Sequence, residues 1–221
     1  MLRHSRKINS PTLANFKLPL IKNEKMFDYA PGSKEAIALK SALLKMKAEM
    51  PFHVPLIVGG KHLKSNSTFT QSVPFDHKLQ LCSFSQSNSQ IINMAIDSAL
   101  AAKPMWEAMP FNDRASIFLK AADLLSGKYR YEMMAATMLG QGKNVWQAEI
   151  DAAAELADFW RFNCKFAEEI YNEQPSENSP GLWNRVEYRA LEGFVLAISP
   201  FNFTAIGGNL ACAPALMGMS N

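Results

Sequence analysis

Residues 193–203 of this chain read GFVLAISPFNF, and this stretch decides the fold class. Residues 193–198 form a continuous apolar run, which is typical of a parallel strand that is buried on both faces. A helical pattern over residues 203–217 follows at once, so the sequence predicts an α/β fold that opens a βαβ unit with a strand, a tight turn and a helix. The amide of Asn202 therefore stands at the end of a buried strand, between two phenylalanines.

The composition indicates a globular protein of ordinary charge. The chain has 221 residues, of which 48% are hydrophobic and 19% are charged, as in folded domains and unlike disordered chains. A net charge of +3 is too small to indicate a nucleic-acid partner. No apolar run approaches the roughly 20 residues that a membrane-spanning helix needs. Three cysteines without a CxxC pair predict no disulfide framework, and no residue is assigned to a metal.

The first 26 residues have a composition of their own. They carry several Lys, Arg, Ser and Thr residues, and no Asp or Glu occurs before Glu24. A basic, hydroxyl-bearing and acid-free N-terminus is the composition of a mitochondrial transit peptide. An ordinary disordered basic tail has the same composition and is the alternative. The sequence thus predicts a transit peptide over 1–26, with cleavage before about Phe27.

Hydrophobic periodicity and turn residues divide the following segment into helices and strands. In its first part we expect a helix over 34–49, capped by Ser33, and a hairpin over 54–64 that turns at Gly59-Gly60. A polar stretch over 65–72 and a further strand over 79–84 follow. Four helices then follow. The first covers 88–103, and the second begins at a cap at Asn112 or Asp113 and ends at Ser126-Gly127. The third covers 128–139 and the fourth 144–171. A loop over 173–183 leads to an exposed strand at 184–191.

The fourth helix presents a carboxylate at the head of an aromatic face. Glu155, Phe159, Phe162 and Phe166 are spaced by four, three and four residues, which places them on one side of a helix. A carboxylate there is costly to bury unless it is paired or used in chemistry. The simpler interpretation, which the residues alone favour, is that Glu155 lies at the edge of the buried face and reaches water.

No glycine-rich fingerprint of the GxGxxG kind follows the predicted strand. Gly207 and Gly208 lie too far into the helix for that role, so we interpret them as sites of close packing between helix and sheet. The strand end at Ser199-Pro200 still offers backbone groups to a ligand, at the edge where ligands bind in open α/β folds. The three cysteines occur in settings that predict packing roles rather than activated thiols.

The predicted βαβ unit lacks its second strand in this chain, which continues only to Asn221. A parallel strand without neighbours cannot satisfy its backbone hydrogen bonds. The sequence therefore predicts the N-terminal portion of a longer protein. Its parts would be a first portion of a domain over 27–183, the strand over 184–191 and a β–α unit over 192–221.

Three long runs in the chain resemble the Δ1-pyrroline-5-carboxylate dehydrogenases (L-glutamate γ-semialdehyde dehydrogenases), a branch of the aldehyde dehydrogenase superfamily. The runs are IFLKAADLLSG, QGKNVWQAEIDAAAELADFWRFN and LEGFVLAISPFNFTAIGGNLACAPALMG. The likeness extends from about Phe27 to Gly218, and it departs from the family at Cys164, at Cys212 and in the loop over 174–184.

The resemblance implies a fold and an activity. Residues 27–183 would form the helical layer of a Rossmann-type NAD-binding domain, and 192–221 its first strand-turn-helix. Residues 184–191 would belong to a flap that joins the subunits of a homo-oligomer. The implied reaction is the NAD-dependent oxidation of L-glutamate γ-semialdehyde to L-glutamate in proline degradation, in the mitochondrial matrix. Neither a nucleic acid nor a membrane span is implied.

The resemblance also assigns roles to single residues. Asn202 matches the asparagine that stabilises the oxyanion, and Phe203 matches an aromatic wall of the aldehyde channel. Glu155 matches a glutamate close to the active site, which replaces its interpretation as an edge residue. The residues matched to NAD binding are Ile198, Ser199, Pro200 and Phe201. An amide N–H on a rigid strand end suits the alkoxide that forms when a thiolate attacks an aldehyde. The alternative is that Asn202 only caps the following helix.

The nucleophile of the family lies in a Gly-Gln-x-Cys setting, which no cysteine of this chain has. The resemblance places that cysteine and the general-base glutamate beyond Asn221, so we expect the isolated chain to be inactive. Two alternatives stay open. One is a non-catalytic truncated product that binds full-length subunits through 184–191. The other is a different aldehyde dehydrogenase, or the dehydrogenase half of a bifunctional proline-oxidising protein.

Overall fold

The computed structural model describes residues 17–218 of the chain. The helices in this range are α1 Lys34–Glu49, α2 Ser89–Glu107, α3 Phe111–Ser126, α4 Arg130–Gln141, α5 Val145–Ala148, α6 Leu156–Asn172 and α7 Thr204–Leu216, with a π-helical turn, Glu149–Glu155, between α5 and α6. The strands are β1 Phe52–Val54, β2 Leu56–Val58, β3 Lys61–Leu63, β4 Thr68–Val73 and β5 Asp76–Ser85. No helix in this range is both long and apolar enough to pass through a lipid bilayer.

Helix α1 has the bounds that its sequence predicts. The side chain of Ser33 accepts a hydrogen bond from the N–H of Ala36, which satisfies one of the free donors at the helix start. On the buried side, Leu39 packs in one cluster with Met134 of α4 and with Ala152 of the π turn. Helix α1 therefore covers the surface that α4 and the π turn share.

Two small sheets precede the helical body. Strands β2 and β3 pair antiparallel around Gly59 and Gly60, whose φ angles of 55° and 74° lie in the left-handed region that glycine adopts most easily. The predicted hairpin is thereby confirmed. The second sheet has the order β1-β5-β4, in which β1 is parallel and β4 antiparallel to β5.

Part of the polar stretch over 65–72 forms a strand, β4, which the sequence analysis did not predict. Strand β4 pairs with β5 and places Phe69 opposite Phe84, with ring centroids 5.8 Å apart. Polar residues are tolerated in a strand whose partner satisfies its backbone groups, because strand formation depends on context more than on intrinsic propensity. The composition of 65–72 could not reveal that partner.

Helices α2 to α4 follow the predicted order with shifted ends. Helix α2 begins at Ser89, one residue after the predicted start, and the side chain of Asn88 caps it. Helix α3 starts directly after Pro110, so the cap predicted at Asn112 or Asp113 is wrong. Asp113 instead lies in the first turn, where a negative charge is favoured by the positive end of the helix dipole.

The predicted fourth helix consists of three segments that follow one another directly: α5, the π turn and α6. Helix α5 begins with a capping box, in which Asn144 and Gln147 bond each other's backbone N–H groups through their side chains. The π turn is wider than an α-helix because its hydrogen bonds join residues five apart. It holds Glu149 and Asp151 in the interior of the protein.

Helix α7 packs closely on α3 and α6 through small residues. Ala205 is buried with Leu125 of α3 and Leu156 of α6. Gly208 approaches α6 so closely that a Cβ atom there would lie 2.7 Å from Cδ1 of Leu156. The prediction of close packing at Gly208 is confirmed, but its partner is a helix and not a sheet.

The two strands predicted before α7 do not form in the part of the chain that the structure describes. Residues 184–191 and 193–198 are irregular and largely exposed, and Phe194 makes only an isolated bridge. A strand exists through hydrogen bonds to a neighbour, and neither sheet of residues 17–218 extends to these segments. The prediction of strands there is therefore wrong for this structure, whereas α7 lies at its predicted place.

Residues 17–30 lie across the helical body, and we call them the N-terminal strap. Backbone N–H groups of the strap donate to carboxylates along the π turn and α6, in the pairs Leu18 to Glu168, Glu24 to Asp158 and Phe27 to Glu149. The strap thus runs antiparallel to these helical segments. Its contacts begin within the range 1–26 that the sequence predicts as a transit peptide.

A buried ion pair, Arg130 with Glu149, lies beneath the strap. Arg130 is 1% exposed and Glu149 is fully buried. The guanidinium donates to both carboxylate oxygens of Glu149 and to Glu24, and the hydroxyl of Tyr29 also donates to Glu149. Buried charges are tolerated when they are paired and hydrogen-bonded in this way. The pair was not predicted, since nothing local marks Arg130 as buried.

Candidate active site

Residues 198–203 form the turn that leads into α7, and we call them the site turn. The four residues matched to cofactor binding all lie here on the surface, and Ile198 and Phe201 are 78% and 94% exposed. Ser199 packs against the helix, because a Cβ atom on Gly207 would lie 3.6 Å from the Cβ of Ser199. The site turn is therefore an exposed edge that rests on α7.

The first turn of α7 is capped by a carboxylate from another helix. Oδ2 of Asp151 accepts from the N–H of Thr204 at 3.0 Å, and Oδ1 accepts from the N–H of Ala205 at 2.8 Å. Asp151 belongs to the π turn and is buried. Its negative charge is also favoured by the positive end of the α7 dipole.

Lys143 joins Asp151 to the site turn. Its ammonium group donates to Oδ2 of Asp151 at 2.7 Å and to the backbone carbonyl of Asn202 at 2.6 Å. The same nitrogen lies 4.4 Å from the centroid of the Phe203 ring, a cation–π contact. One lysine therefore contacts a carboxylate, the backbone of the site turn and an aromatic side chain.

The side chain of Asn202 does not cap α7. Phe203 occupies the capping position, and no side chain at that position bonds the helix. Asp151 already accepts from the N–H groups of Thr204 and Ala205, so the alternative of Asn202 as a helix cap is wrong. Asn202 is an exposed residue, and its backbone carbonyl is held by Lys143 at the start of the helix.

Helix α4 contributes a second set of contacts to the start of α7. The hydroxyl of Thr204 is 2.7 Å from that of Thr137 and accepts from Nε2 of Gln141 at 3.0 Å. The backbone and the side chain of Thr204 are thus fixed from two different elements. This double fixation makes the start of α7 a rigid base for the site turn.

Glu155 belongs to the same charged cluster as Asp151 and Lys143. Burial raises the pKa of Glu155 above its ordinary value, the negative charge of Asp151 raises it further, and Lys143 opposes the rise. The aromatic face that Glu155 heads is only partly buried. Phe166 is 51% exposed and its ring centroid lies 6.0 Å from that of Phe162.

Asp151 and Lys143 were not among the residues predicted for the site. The available signal was the run EIDAAAELA, which places an acidic residue among alanines in a helix that must be buried. A buried carboxylate needs a partner, and that need could have marked Asp151. Its partners are brought in by the tertiary fold, since Thr204 is 53 residues away.

The three cysteines have packing environments, as predicted. Cys164 is fully buried, and burial raises its pKa to about 12. Burial also raises the pKa of Cys82, and it raises that of Cys212 despite an opposing contact with Trp160. A thiol with a raised pKa is a poor nucleophile near neutral pH, because the thiolate is the reactive form.

This chain is similar in sequence to a known protein family and to several of its members. The aldehyde dehydrogenase family model matches residues 62–219. The delta-1-pyrroline-5-carboxylate dehydrogenase of Agaricus bisporus is 60% identical over 206 residues, which are 93% of this chain and 38% of that protein. A mitochondrial protein of the same name from Emericella nidulans is 58% identical over 94% of this chain and 36% of its own length.

A solved structure gives the same result. The Delta-pyrroline-5-carboxylate dehydrogenase of Mycobacterium tuberculosis, bound with NAD, superposes with a TM-score of 0.91 at 45% identity, over 94% of this chain and 39% of that one. The chain thus spans well under half the length of these relatives. The predicted fold class and the resemblance are confirmed, and since the family model covers more than half of the chain, the chain belongs to the aldehyde dehydrogenase family.

Proposed function

We propose that this chain is part of an NAD-dependent L-glutamate γ-semialdehyde dehydrogenase, which oxidises its substrate to L-glutamate in proline degradation. The observation that carries the proposal is the 60% identity to a protein named for this activity, over 93% of the chain. Because the chain covers 38% of that relative, the activity is proposed for a polypeptide that contains this chain and has the relatives' full length. We call it the full-length enzyme.

The geometry of the site turn supports an oxyanion role for Asn202. Its amide is exposed, while its backbone is tied to Lys143 and precedes a firmly capped helix. A donor that is fixed before the reaction stabilises developing negative charge without reorganisation. In this proposal Asn202 donates to the oxyanion of the substrate, Phe203 lines the aldehyde channel, and Glu155 lies close to the reacting groups.

The site turn presents exposed backbone and side-chain groups at the start of a helix, which suits the binding of a dinucleotide. Ser199 lies directly against α7, where a Cβ atom on Gly207 would be in ordinary contact with it at 3.6 Å. The residues proposed to hold NAD are Ile198, Ser199, Pro200 and Phe201. When bound, NAD supplies the acceptor for the hydride that leaves the substrate carbon.

We further propose that residues 1–221 alone do not oxidise aldehydes. Support comes from the three cysteines, none of which has an environment that would activate a thiol. We also propose that the full-length enzyme is a homo-oligomer in which 184–191 joins subunits. Trp183 and Leu191 beside and within this segment are 76% and 64% exposed, as an assembly surface requires.

A location in the mitochondrial matrix is proposed from the basic N-terminus and from the mitochondrial relative. Residues 1–16 lie outside the described range, so the predicted transit peptide is only partly within it. The strap contacts of Leu18 and Glu24 favour cleavage before residue 17 over cleavage near Phe27. Import of a fluorescent protein fused to residues 1–30 tests the proposal, and purely cytosolic fluorescence would contradict it.

The test of the activity is NADH formation by the purified full-length enzyme, with glutamate γ-semialdehyde and, for comparison, propanal. We expect a higher kcat/KM for the semialdehyde. Equal values would favour a general aldehyde dehydrogenase. Residues 1–221 serve as the matched control, and NADH formation by them would contradict the proposal that this portion is inactive alone.

A further inference from the structure

The start of α7 is fixed by two charged residues that lie far from it in sequence. Asp151 accepts from two successive N–H groups of the helix, and its side chain is 3% exposed. Lys143, whose side chain is 15% exposed, pairs with this carboxylate and donates to the carbonyl of Asn202. Both contacts lie next to Asn202, whose amide is the oxyanion donor in the proposed function.

The two residues restrain different parts of the same turn. Asp151 fixes the backbone after Asn202, through Thr204 and Ala205. Lys143 fixes the carbonyl of Asn202 itself and covers the ring of Phe203. The ion pair couples the two restraints, because Lys143 offsets the cost of burying the charge of Asp151.

We propose that Lys143 and Asp151 are positioning residues that hold the site turn, and with it the amide of Asn202, in its reactive place. This proposal rests on the proposed function for its catalytic consequence. A catalytic group must be held within about 0.5 Å of its productive position by its supporting residues. Neither Lys143 nor Asp151 is assigned a contact with substrate.

The variants are Asp151→Asn and Lys143→Met in the full-length enzyme. Asparagine keeps the size of the side chain, but its NH₂ group is itself a donor and cannot accept from one of the two N–H groups. The substitution also removes the negative charge that pairs with Lys143. Methionine keeps much of the aliphatic stem and removes the ammonium group. The matched control is Glu169→Gln, which removes an exposed ion pair with Lys165 at 3.5 Å on α6.

The first measurement is hydrogen exchange of the peptide spanning 199–216. We expect several-fold faster exchange at Thr204 and Ala205 in Asp151→Asn, and no change in Glu169→Gln. Unchanged exchange in Asp151→Asn would overturn the proposal whatever the activity of the enzyme. Should Asp151→Asn fail to fold, faster exchange in Lys143→Met supports the proposal and unchanged exchange overturns it.

The second measurement is a kinetic cycle with Asn202→Ala. We expect kcat to fall by up to about 10²-fold in Asp151→Asn, as misplaced catalytic groups do, with KM and the Kd for NAD nearly unchanged. In the Asn202→Ala background, Asp151→Asn should lower kcat only a little further, because the amide that Asp151 positions is absent. An equal loss in both backgrounds would overturn the proposal. A wild-type enzyme that does not oxidise the semialdehyde would instead contradict the proposed function, and the exchange experiment still decides on positioning.

Discussion

At the residue scale, Asn202 is held by its carbonyl while its amide stays exposed. The carbonyl accepts from Lys143 at 2.6 Å, and the donors at the start of α7 are taken by Asp151. A capping asparagine would have its side-chain oxygen on those donors. The arrangement leaves the amide available to a ligand, which is what an oxyanion donor requires.

Asn202→Ala in the full-length enzyme should therefore lose transition-state stabilisation. Removal of one such donor typically lowers kcat by about 10²–10³-fold, or roughly 3–4 kcal/mol. Asn202→Asp should be worse, because a carboxylate repels both a thiolate and an alkoxide. Measured kcat values and melting temperatures for both variants test this. An active Asp variant would show that the polar group has no part in oxyanion stabilisation.

Glu155 gives a prediction that separates function from stability. Its pKa is raised by burial and by Asp151, so the folded state holds the proton more tightly than the unfolded state does. The fold is then progressively destabilised as the pH rises from the ordinary value of 4.5 through the raised pKa. Glu155→Gln removes this effect, so its melting temperature relative to wild type should rise over that interval and then level off.

The same Glu155→Gln variant should have a lower kcat, if Glu155 lies close to the reacting groups as proposed. A variant that is more stable near neutral pH but slower is the expected result. Unchanged kcat and kcat/KM would restore the interpretation of Glu155 as an edge residue. Glu169→Gln, on an exposed part of α6, serves as the control for loss of a carboxylate.

At the scale of elements, the contact between α6 and α7 depends on one glycine. A Cβ atom on Gly208 would lie 2.7 Å from Cδ1 of Leu156, which is itself 2% exposed and has little room to move. Helices approach this closely only where one of them lacks a side chain. The contact fixes the axis of α7 and hence the direction in which the site turn leaves it.

Gly208→Ala should destabilise the full-length enzyme in spite of alanine's higher helix propensity. Overpacking of a tight interior costs about 1–3 kcal/mol, whereas the gain in propensity is about 1 kcal/mol. Gly207→Ala is the matched control, since its Cβ would make an ordinary contact of 3.6 Å with Ser199. Melting temperatures should fall for Gly208→Ala and not for Gly207→Ala. A rise in both would show that α6 and α7 are not tightly packed.

At the scale of the whole molecule, the N-terminal strap joins elements that are distant in sequence. Glu24 lies between Arg130 of α4 and Arg161 of α6, and its carboxylate accepts from both. Burial alone would raise the pKa of Glu24, but hydrogen bonds and charges from Arg161 and Arg130 lower it overall. Through Glu24 the strap therefore forms ion pairs that join α4 and α6, and we call these ion pairs the clamp.

Glu24→Gln should weaken this clamp in a pH-dependent way. A lowered pKa means that the ionised carboxylate stabilises the fold above the ordinary value of 4.5, and that this stabilisation is lost as the pH falls through the folded pKa. Near neutral pH we expect a loss of roughly 1.5–3 kcal/mol, as for hydrogen bonds to charged groups. The difference between variant and wild type should shrink below pH 4.5 in denaturant titrations. A difference independent of pH would contradict the ionic explanation.

The sequence by itself determined what depends on neighbours along the chain. The cap at Ser33, the turn at Gly59-Gly60 and the place of α7 follow from local preferences, which a pattern of nearby residues records. The runs around 193–218 also identified the family and marked Asn202, because chemistry there depends on residue types in a fixed order.

Only the tertiary structure decided which distant groups meet. Nothing near Asp151 in sequence indicates that it caps a helix 53 residues later, and nothing near Arg130 indicates burial against Glu149. The strand predicted at 193–198 had the right apolar pattern, yet a strand forms only beside a partner, and none of the described strands lies beside it. Such pairings are set by free energies of packing and charge burial that are distributed over the whole fold, so a local pattern contains no record of them.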